Sequence, residues 1–431
     1  MWNQTIRMKT MKNRSFKMAI YLVAMMLMPL GMSAQTISYE RFMDAVAQNN
    51  AGYLAEKYNV DIAVANLQAS KVFNDPELSI DYGNNQDKVM QMGQSLEIGL
   101  SYDLGISGER RARISAAKSE KELSEASVRS YFSALKLEAA EAWAEAWRLK
   151  RSCEIMKESV DDMMKIAKGD SLRAKLGDIG RTDAAQSRLE AQTLRGDLLA
   201  LQAEYRNALM QLGYLAGGET ISDIAGEILP QRSLPYSMNE LVDMAHSNRA
   251  DLKAAELSHT LSEDNLRIVK ASRAFDLGLN LGYSHNTEVR NEIAPAPMFN
   301  GVTVGVSIPL KFSSFNRGEI KAARQMVEQS RKYYTDALQQ VTTETAQAYN
   351  SLQAAKEVLS QYDSGMLDDA RAILDSRQAG YTKGESSLLE LLAAQQTYRD
   401  VMQSYVDACA GCFVCQAQLE FAVGYEEDER R

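Results

Sequence analysis

Proline is missing from residues 77–229 and again from every position after 309. A proline inside a helix costs about 3 kcal/mol, so these two gaps leave room for very long helices. The apolar pattern fills them. Val128, Phe132, Leu135, Ala139, Ala142, Ala146, Leu149, Cys153, Met156, Val160, Met163 and Ala167 alternate steps of four and three. Leu194 to Leu215, Ile320 to Val341 and Leu388 to Cys412 follow the same rule, the last with the polar Gln395 among its members. That spacing is the seam of packed, coiled-coil-like helices. A helix from Arg110 to Lys168 would run roughly 90 Å at 1.5 Å per residue, which predicts rods rather than a compact core.

Four short segments carry the other period. Leu78, Ile80 and Tyr82; Leu96, Ile98, Leu100, Tyr102 and Leu104; Phe275, Leu277, Leu279, Leu281 and Tyr283; and Val302, Val304, Val306, Ile308 and Leu310 alternate with polar or small residues. Such two-faced strands suit a membrane barrel wall with lipid outside and water inside. A half-buried sheet in a soluble domain shows the same alternation. The strands pair as two hairpins, 76–104 and 275–310, each flanked by long helices with little sequence left for a second layer. Four strands cannot close a barrel, since about eight are the smallest number that do. An open edge in lipid leaves backbone groups unsatisfied at several kcal/mol each. Strands that meet lipid here must be pooled by several chains, and three copies give twelve.

The first segment reads as an address. Lys9, Lys12, Arg14 and Lys17 precede an apolar run, Met18 to Met28, and Gly31-Met32-Ser33-Ala34 supplies small residues for cleavage. This is secretory signal design, with an apolar run too short for the roughly 20 residues of a membrane span. Removal of residues 1–34 takes away five positive charges and no negative ones, making an already acidic chain of net −9 more acidic. No lysine or arginine cluster remains, so no nucleic-acid footprint is expected. Four cysteines in so long a chain are no disulfide framework.

The chain is written twice. Phe42, Asn49 and Tyr53 correspond to Leu241, Asn248 and Leu252; Leu96 to Leu104 corresponds to Val302 to Leu310; Ile114, Ala116 and Ala117 correspond to Ile320, Ala322 and Ala323. Gly177 with Asp183 corresponds to Gly384 with Glu390. The expected organisation is a signal peptide over 1–34, a first repeat over 35–218, a linker over 219–236, a second repeat over 237–425 and an acidic tail over 426–431. Each repeat runs helix, hairpin, long helix, tip turn, helix. Two repeats of this size are a duplication rather than a solenoid.

The duplication, the junctions Gly105-Ile106-Ser107-Gly108-Glu109-Arg110-Arg111-Ala112-Arg113 and Asn316-Arg317-Gly318-Glu319-Ile320-Lys321-Ala322-Ala323, and the element Tyr381 to Leu391 resemble the TolC family of outer-membrane efflux proteins. Asn74-Asp75-Pro76-Glu77-Leu78-Ser79 with the arginine-rich junction is most similar to the cation-efflux, CzcC-type branch. The resemblance implies a mainly α chain with a small membrane β part. It implies a homotrimer forming a 12-stranded outer-membrane barrel and a periplasmic α-helical barrel. It also implies outer-membrane lipid, a periplasmic adaptor and an inner-membrane pump as partners, and a passive export duct for heavy-metal cations or drugs. The alternative from another class is a structural periplasmic coiled-coil protein that binds a partner.

Within that resemblance, Gly177 and Gly384 mark the periplasmic tip turns, and Asp183, Tyr381 and Glu390 are the gate candidates. Asp183 and Glu390 would form charged rings after three-fold repetition, attracting cations by their summed field; a carboxylate in a first helical turn is also favoured by the helix dipole alone. Tyr381 matches the family's gate tyrosine, and ordinary helix-end packing is the other reading. The arginine that some members carry is Ser386 here, a second acid is replaced by Ala393, and Arg181 is a candidate substitute for the arginine. Cys409, Cys412 and Cys415 invite a soft-metal or redox reading, but two of them lie on the helix seam, where a thiol packs as a small hydrophobe. Arg148, Lys150 and Arg151 are expected on a solvated face. No HExxH, P-loop, dinucleotide or Gly-x-Ser-x-Gly motif is present, so no cofactor, resident metal or catalytic residue is expected, and an enzyme reading has no site.

Overall fold

The computed structural model describes residues 35–85, 91–226, 236–310 and 317–425. The expected signal peptide and acidic tail lie outside the described residues, as does Asn316 of the second junction. The first repeat contains β1 (Gln35–Ile37), α1 (Tyr39–Asn49), α2 (Ala51–Ser70), β2 (Glu77–Asn84), β3 (Gln94–Asp103), α3 (Glu109–Leu176) and α4 (Arg181–Leu215). After β4 (Ile221–Ile224) the second repeat follows with α5 (Met238–Asn248), α6 (Ala250–Ala271), β5 (Gly278–Asn286), β6 (Phe299–Ser307), α7 (Arg317–Gln361), α8 (Leu367–Lys383) and α9 (Leu388–Ala422). The seam of fours and threes is realised in α3, 68 residues long and hence roughly 100 Å.

The four long strands form one antiparallel sheet in the order β2-β3-β5-β6. Its register stacks like on like: Leu78 opposes Leu100, Leu100 opposes Leu281, and Leu281 opposes Val304. The next row is Ile80, Ile98, Tyr283 and Val302. The opposite face holds Ser79, Gly99, Gly282 and Thr303 in one row. Among the described residues nothing covers the apolar face. Ile80 is 64% exposed and Val304 79%, which no water-filled environment rewards at about 25 cal/mol per Å² of apolar surface. Among the described residues, both outer strands, β2 and β6, are open edges.

Each strand hangs from one helix, and the helices keep the order of the strands: α2 lies against α3, α3 against α6, and α6 against α7. Below them α4 pairs with α3 and α9 with α8. Where the helices change partners sits the main core, with Phe42, Trp143, Leu212, Leu215, Ile37 and Ile224 buried together and Phe42 stacked on Trp143 at 5.5 Å between ring centroids.

Three features depart from the sequence reading. The segment expected as a linker contains β4, which pairs in parallel with β1 and delivers Ile224 to that core. Lys150, expected on a solvated face, is drawn inward instead. Its Nζ donates to Asp223 at 2.9 Å and to the Ile224 carbonyl at 2.5 Å, while the Tyr205 hydroxyl donates to the same carboxylate at 2.6 Å. A strand in the supposed linker brings the acid that the lysine answers. Finally, the long helix of the second repeat is broken. A π-turn at Tyr362–Met366 separates α7 from α8, with Gly365 at φ +102°, a conformation that glycine alone adopts without strain.

The duplication extends to the closing contacts. Gly217 (φ +84°) lies so close to Asn49 that an added Cβ would stand 2.4 Å from its carbonyl oxygen. Gly424 (φ +63°) sits in the same way on Asn248 and Arg249. In both repeats the last helix ends on a glycine seated at the break between the first two helices.

Candidate functional site

The far ends of the two long hairpins are built alike. Helix α3 stops at Gly177 (φ +87°), and the Asp178 N–H returns to the Arg173 carbonyl at 2.9 Å. Helix α8 stops at Gly384 (φ +80°), and the Glu385 N–H returns to the Gly380 carbonyl at 2.8 Å. Both are helix ends in which a left-handed glycine lets the chain satisfy the last carbonyls. Ser386 packs on Gly380.

Past the turns, the two acids take different local roles. Asp183 is exposed in the first turn of α4. Glu390 is the third residue of α9 and closes a reciprocal cap with Ser387: the Ser387 N–H donates to its carboxylate at 2.9 Å, and the Ser387 hydroxyl accepts the Glu390 N–H at 3.3 Å. The backbone N–H of Ser387, with its hydroxyl, holds the Glu390 carboxyl below the usual range. Arg377 stands 3.8 Å away. The helix-dipole reading of these acids and the charged-ring reading are compatible, since both carboxylates remain exposed.

Tyr381 is buried, 7% exposed, and its hydroxyl donates to Asp170 Oδ1 at 2.9 Å. Asp170 belongs to α3, so this bond ties the second hairpin to the first repeat's long helix. The acid is 2% exposed. Its Oδ2 is buried without a hydrogen-bond partner among the described residues. Arg173 lies 3.9 Å from Asp170 Oδ1, with its guanidinium 5.5 Å from the Tyr381 ring centroid. Burial first, then the hydrogen bond to Asp170 and that carboxylate's charge, push the Tyr381 hydroxyl up to about 12. Asp183 adds to the same shift. Tyr381 is therefore a neutral donor at any physiological pH.

A second tie lies further from the tip. Arg371 of α8 meets Glu158 of α3 at 2.7 Å and the Tyr398 hydroxyl of α9 at 3.1 Å. Because α3 and α8 run in the same direction, Arg371–Glu158 and Tyr381–Asp170 form two rungs between them.

The structure thus joins Tyr381 to Asp170, leaves Asp183 exposed in the first turn of α4 and holds Glu390 on its cap. The arginine beside Tyr381 is Arg173 of α3, while Arg181 is exposed at the start of α4. Sequence reasoning missed Asp170 and Arg173. The signal was present: continuing the seam three residues beyond Ala167 lands on Asp170, a carboxylate at an apolar position. The cysteines serve packing. Cys412, with Cys415 against it, lies among Leu241, Leu352 and Leu419, and Cys409 packs against the core around Trp143. Burial pushes the thiols of Cys153, Cys412 and Cys415 up, away from the thiolate that binds metal.

No described helix is long and apolar enough to cross a membrane. Residues 241–424, the second repeat, match the outer membrane efflux protein family. Over 401 residues the chain is 23% identical to the cobalt-zinc-cadmium resistance protein CzcC of Cupriavidus metallidurans, covering 91% of each. It is 20% identical to the outer membrane protein TolC of Vibrio cholerae, covering 88% of each. Among solved structures it shares the fold of CusC, with a TM-score of 0.73 and 18% identity over 90% of this chain and 92% of that one. The outer membrane protein VceC of Vibrio cholerae gives a TM-score of 0.71 at 18% identity, over 90% of this chain and 96% of that one. With the exposed sheet, the long rods and the paired tips on one chain, the protein is similar over nearly its whole length to TolC-type outer-membrane efflux proteins, and its residues 241–424 match that family's model.

Proposed function

We propose that the chain is a passive export duct: three copies pool their strands into a 12-stranded barrel and their helices into a tunnel across the periplasm. The observation that carries this reading is a four-stranded sheet with its apolar face uncovered and both edges open. Such a sheet is costly alone in water and costly alone in lipid, and closing it with further copies removes both costs. The chain holds no energy-coupling site among its motifs, so direction and energy come from an inner-membrane pump reached through a periplasmic adaptor. The CzcC relative supports metal cations as cargo, and drugs are the other class that ducts of this kind carry.

At the tip, Tyr381–Asp170 acts as the latch of the closed state, with Arg371–Glu158 as the upper rung. Asp183 and Glu390, three of each in the assembly, make the entrance attractive to cations. Envelope fractionation, native mass measurement in detergent and conductance in planar bilayers test the reading together. Outer-membrane location, a trimer and cation-selective conductance are expected. A monomer that stays in solution without detergent and conducts nothing would sink it.

A further inference from the structure

The apolar face of the sheet has two ends, and they differ. At one, the row Tyr82, Leu96, His285 and Asn300 turns polar. There the Asn300 amide oxygen meets His285 Nδ1 at 2.7 Å and accepts from the Tyr283 hydroxyl at 3.1 Å. From His285 to Leu277, whose carbonyl accepts the Leu104 N–H, the strand covers roughly 27 Å, or about 20 Å in height at barrel tilt. That is close to the height of an outer-membrane apolar band, about 25 Å. The other end, where strands become helices, then stands at the second membrane surface.

That end is apolar and basic together. Val72, Phe73, Ile106 and Phe275 are each more than half exposed. The four strand–helix junctions, residues 71–76, 105–113, 270–276 and 317–321, carry eight basic residues against four acidic ones, in a chain whose net charge is −9. Exposed aromatic rings beside basic side chains suit a membrane–water interface with negative headgroups.

Arg110 is the fixed member of this set. Its Nε donates to the Lys71 carbonyl at 3.1 Å and its Nη2 to the same oxygen, while its guanidinium lies 3.9 Å from the centroid of the Phe73 ring. These contacts pin the group between α2 and α3, inside the chain's own layer, and none of them neutralises its charge. Further along the same helices the cations are answered: Lys118 meets Glu122 at 3.8 Å, Lys121 meets Glu125 at 2.9 Å, and Arg267 meets Asp264. Among the described residues no ion pair involves Lys71, Arg110, Arg111 or Arg113. Charge left unpaired at one level of an otherwise paired helix, beside exposed aromatic rings, points to an anion supplied from outside the chain.

We propose that the strand–helix junctions form a basic collar for the headgroups of anionic phospholipids in the leaflet facing the periplasm, with Arg110 as the fixed cation and the exposed Arg111 and Arg113 beside it. The phosphate accepts charge-assisted hydrogen bonds from the guanidinium edge that Lys71 does not use, and the acyl chains continue along the uncovered apolar face. The collar rests on the membrane-duct reading above and adds the class of lipid that the duct takes.

The test uses the full chain purified in detergent and titrated with phosphatidylglycerol or phosphatidylcholine of the same acyl chains, with bound lipids counted by native mass measurement. Tighter retention of phosphatidylglycerol is expected, and Arg110→Gln should weaken it roughly five-fold, the change one arginine makes at an anionic surface. Arg111→Gln with Arg113→Gln leaves the Lys71 and Phe73 contacts in place and should also weaken it, which keeps the test open if Arg110→Gln fails to fold. Lys118→Gln with Lys121→Gln, beyond the collar, should change nothing. Equal retention of the two lipids, an unchanged preference in the arginine variants, as arginines turned into the tunnel would give, or an equal loss in the lysine pair overturns the collar. If such a result comes from a trimer held in detergent, the collar alone falls and the duct stands. If native mass gives a monomer that needs no detergent, the duct falls and the collar with it.

Discussion

Removing one hydroxyl at the tip provides the sharpest test of the latch. Tyr381→Phe keeps the ring and its packing and deletes only the donor to Asp170, which is 2.9 Å away. Hydrogen bonds to charged groups contribute about 1.5–3 kcal/mol, and leaving a buried acceptor unpaired places the loss towards the upper end. Asp170 is 2% exposed and already has one oxygen without a hydrogen-bond partner among the described residues, while Arg173 at 3.9 Å still offsets part of the charge. A loss of about 2–3 kcal/mol follows, equivalent to a shift of roughly 30- to 150-fold in the closed-to-open ratio of each latch. The assay is single-channel recording in planar bilayers, with open-state occupancy as the readout. Asp170→Asn should loosen the tip in the same direction, and the double variant should add little to the stronger single one, because both remove the same bond. Equal occupancy in Tyr381→Phe and the unaltered protein, or full additivity of the two changes, would refute the latch.

Raising pH should release the same contact. The Tyr381 hydroxyl is pushed up to about 12 from its ordinary value near 10, so its contribution is complete below pH 10 and is lost as pH rises through about 12; open occupancy should climb in that window, and Tyr381→Phe should lack the climb. Asp183→Ala with Glu390→Ala is expected to lower the cation-to-anion permeability ratio measured under a salt gradient, and an unchanged ratio would reject the charged entrance. Gly217→Ala meets both a left-handed φ of +84° and an Asn49 oxygen 2.4 Å from the new Cβ, whereas Gly218→Ala, at φ +93°, meets nothing within 4 Å. Backbone strain alone costs about 1–3 kcal/mol. Both should therefore lower the melting temperature read by helical circular dichroism, Gly217→Ala the more, and equal losses would show that the Asn49 contact carries no weight.

The sequence disclosed the features that repeat many times and withheld those made by single residues. The rods were legible because the seam recurs over a dozen positions in α3, and the sheet because Ile80, Ile98, Tyr283 and Val302 each sit in an unbroken alternation. The break at Gly365 was not legible: glycine in a helical pattern lowers stability by about 1 kcal/mol and only tertiary packing decides whether the helix gives way. Strand β4 has four residues, too few for a period, and its partner β1 lies at the other end of the repeat. The tip was half legible. Tyr381, Asp183 and Glu390 were marked by the family resemblance around Gly177 and Gly384, but Asp170 acquires its role only when α3 and α8 run side by side, more than 200 residues apart in the chain. Lys150 failed for the same reason, since its charge is answered by Asp223 from a segment with no visible pattern.

The break in the second long helix makes the two repeats mechanically unequal. Helix α3 is one uninterrupted beam, while α8 is a separate piece of 17 residues, about 25 Å long at 1.5 Å per residue. With Gly365 as fulcrum, that piece is a lever arm ending at Gly384. Each degree of rotation there moves the far end by roughly 0.4 Å on this arm, so a small tilt at mid-height suffices to draw Tyr381 beyond reach of Asp170 while the sheet in the membrane stays still.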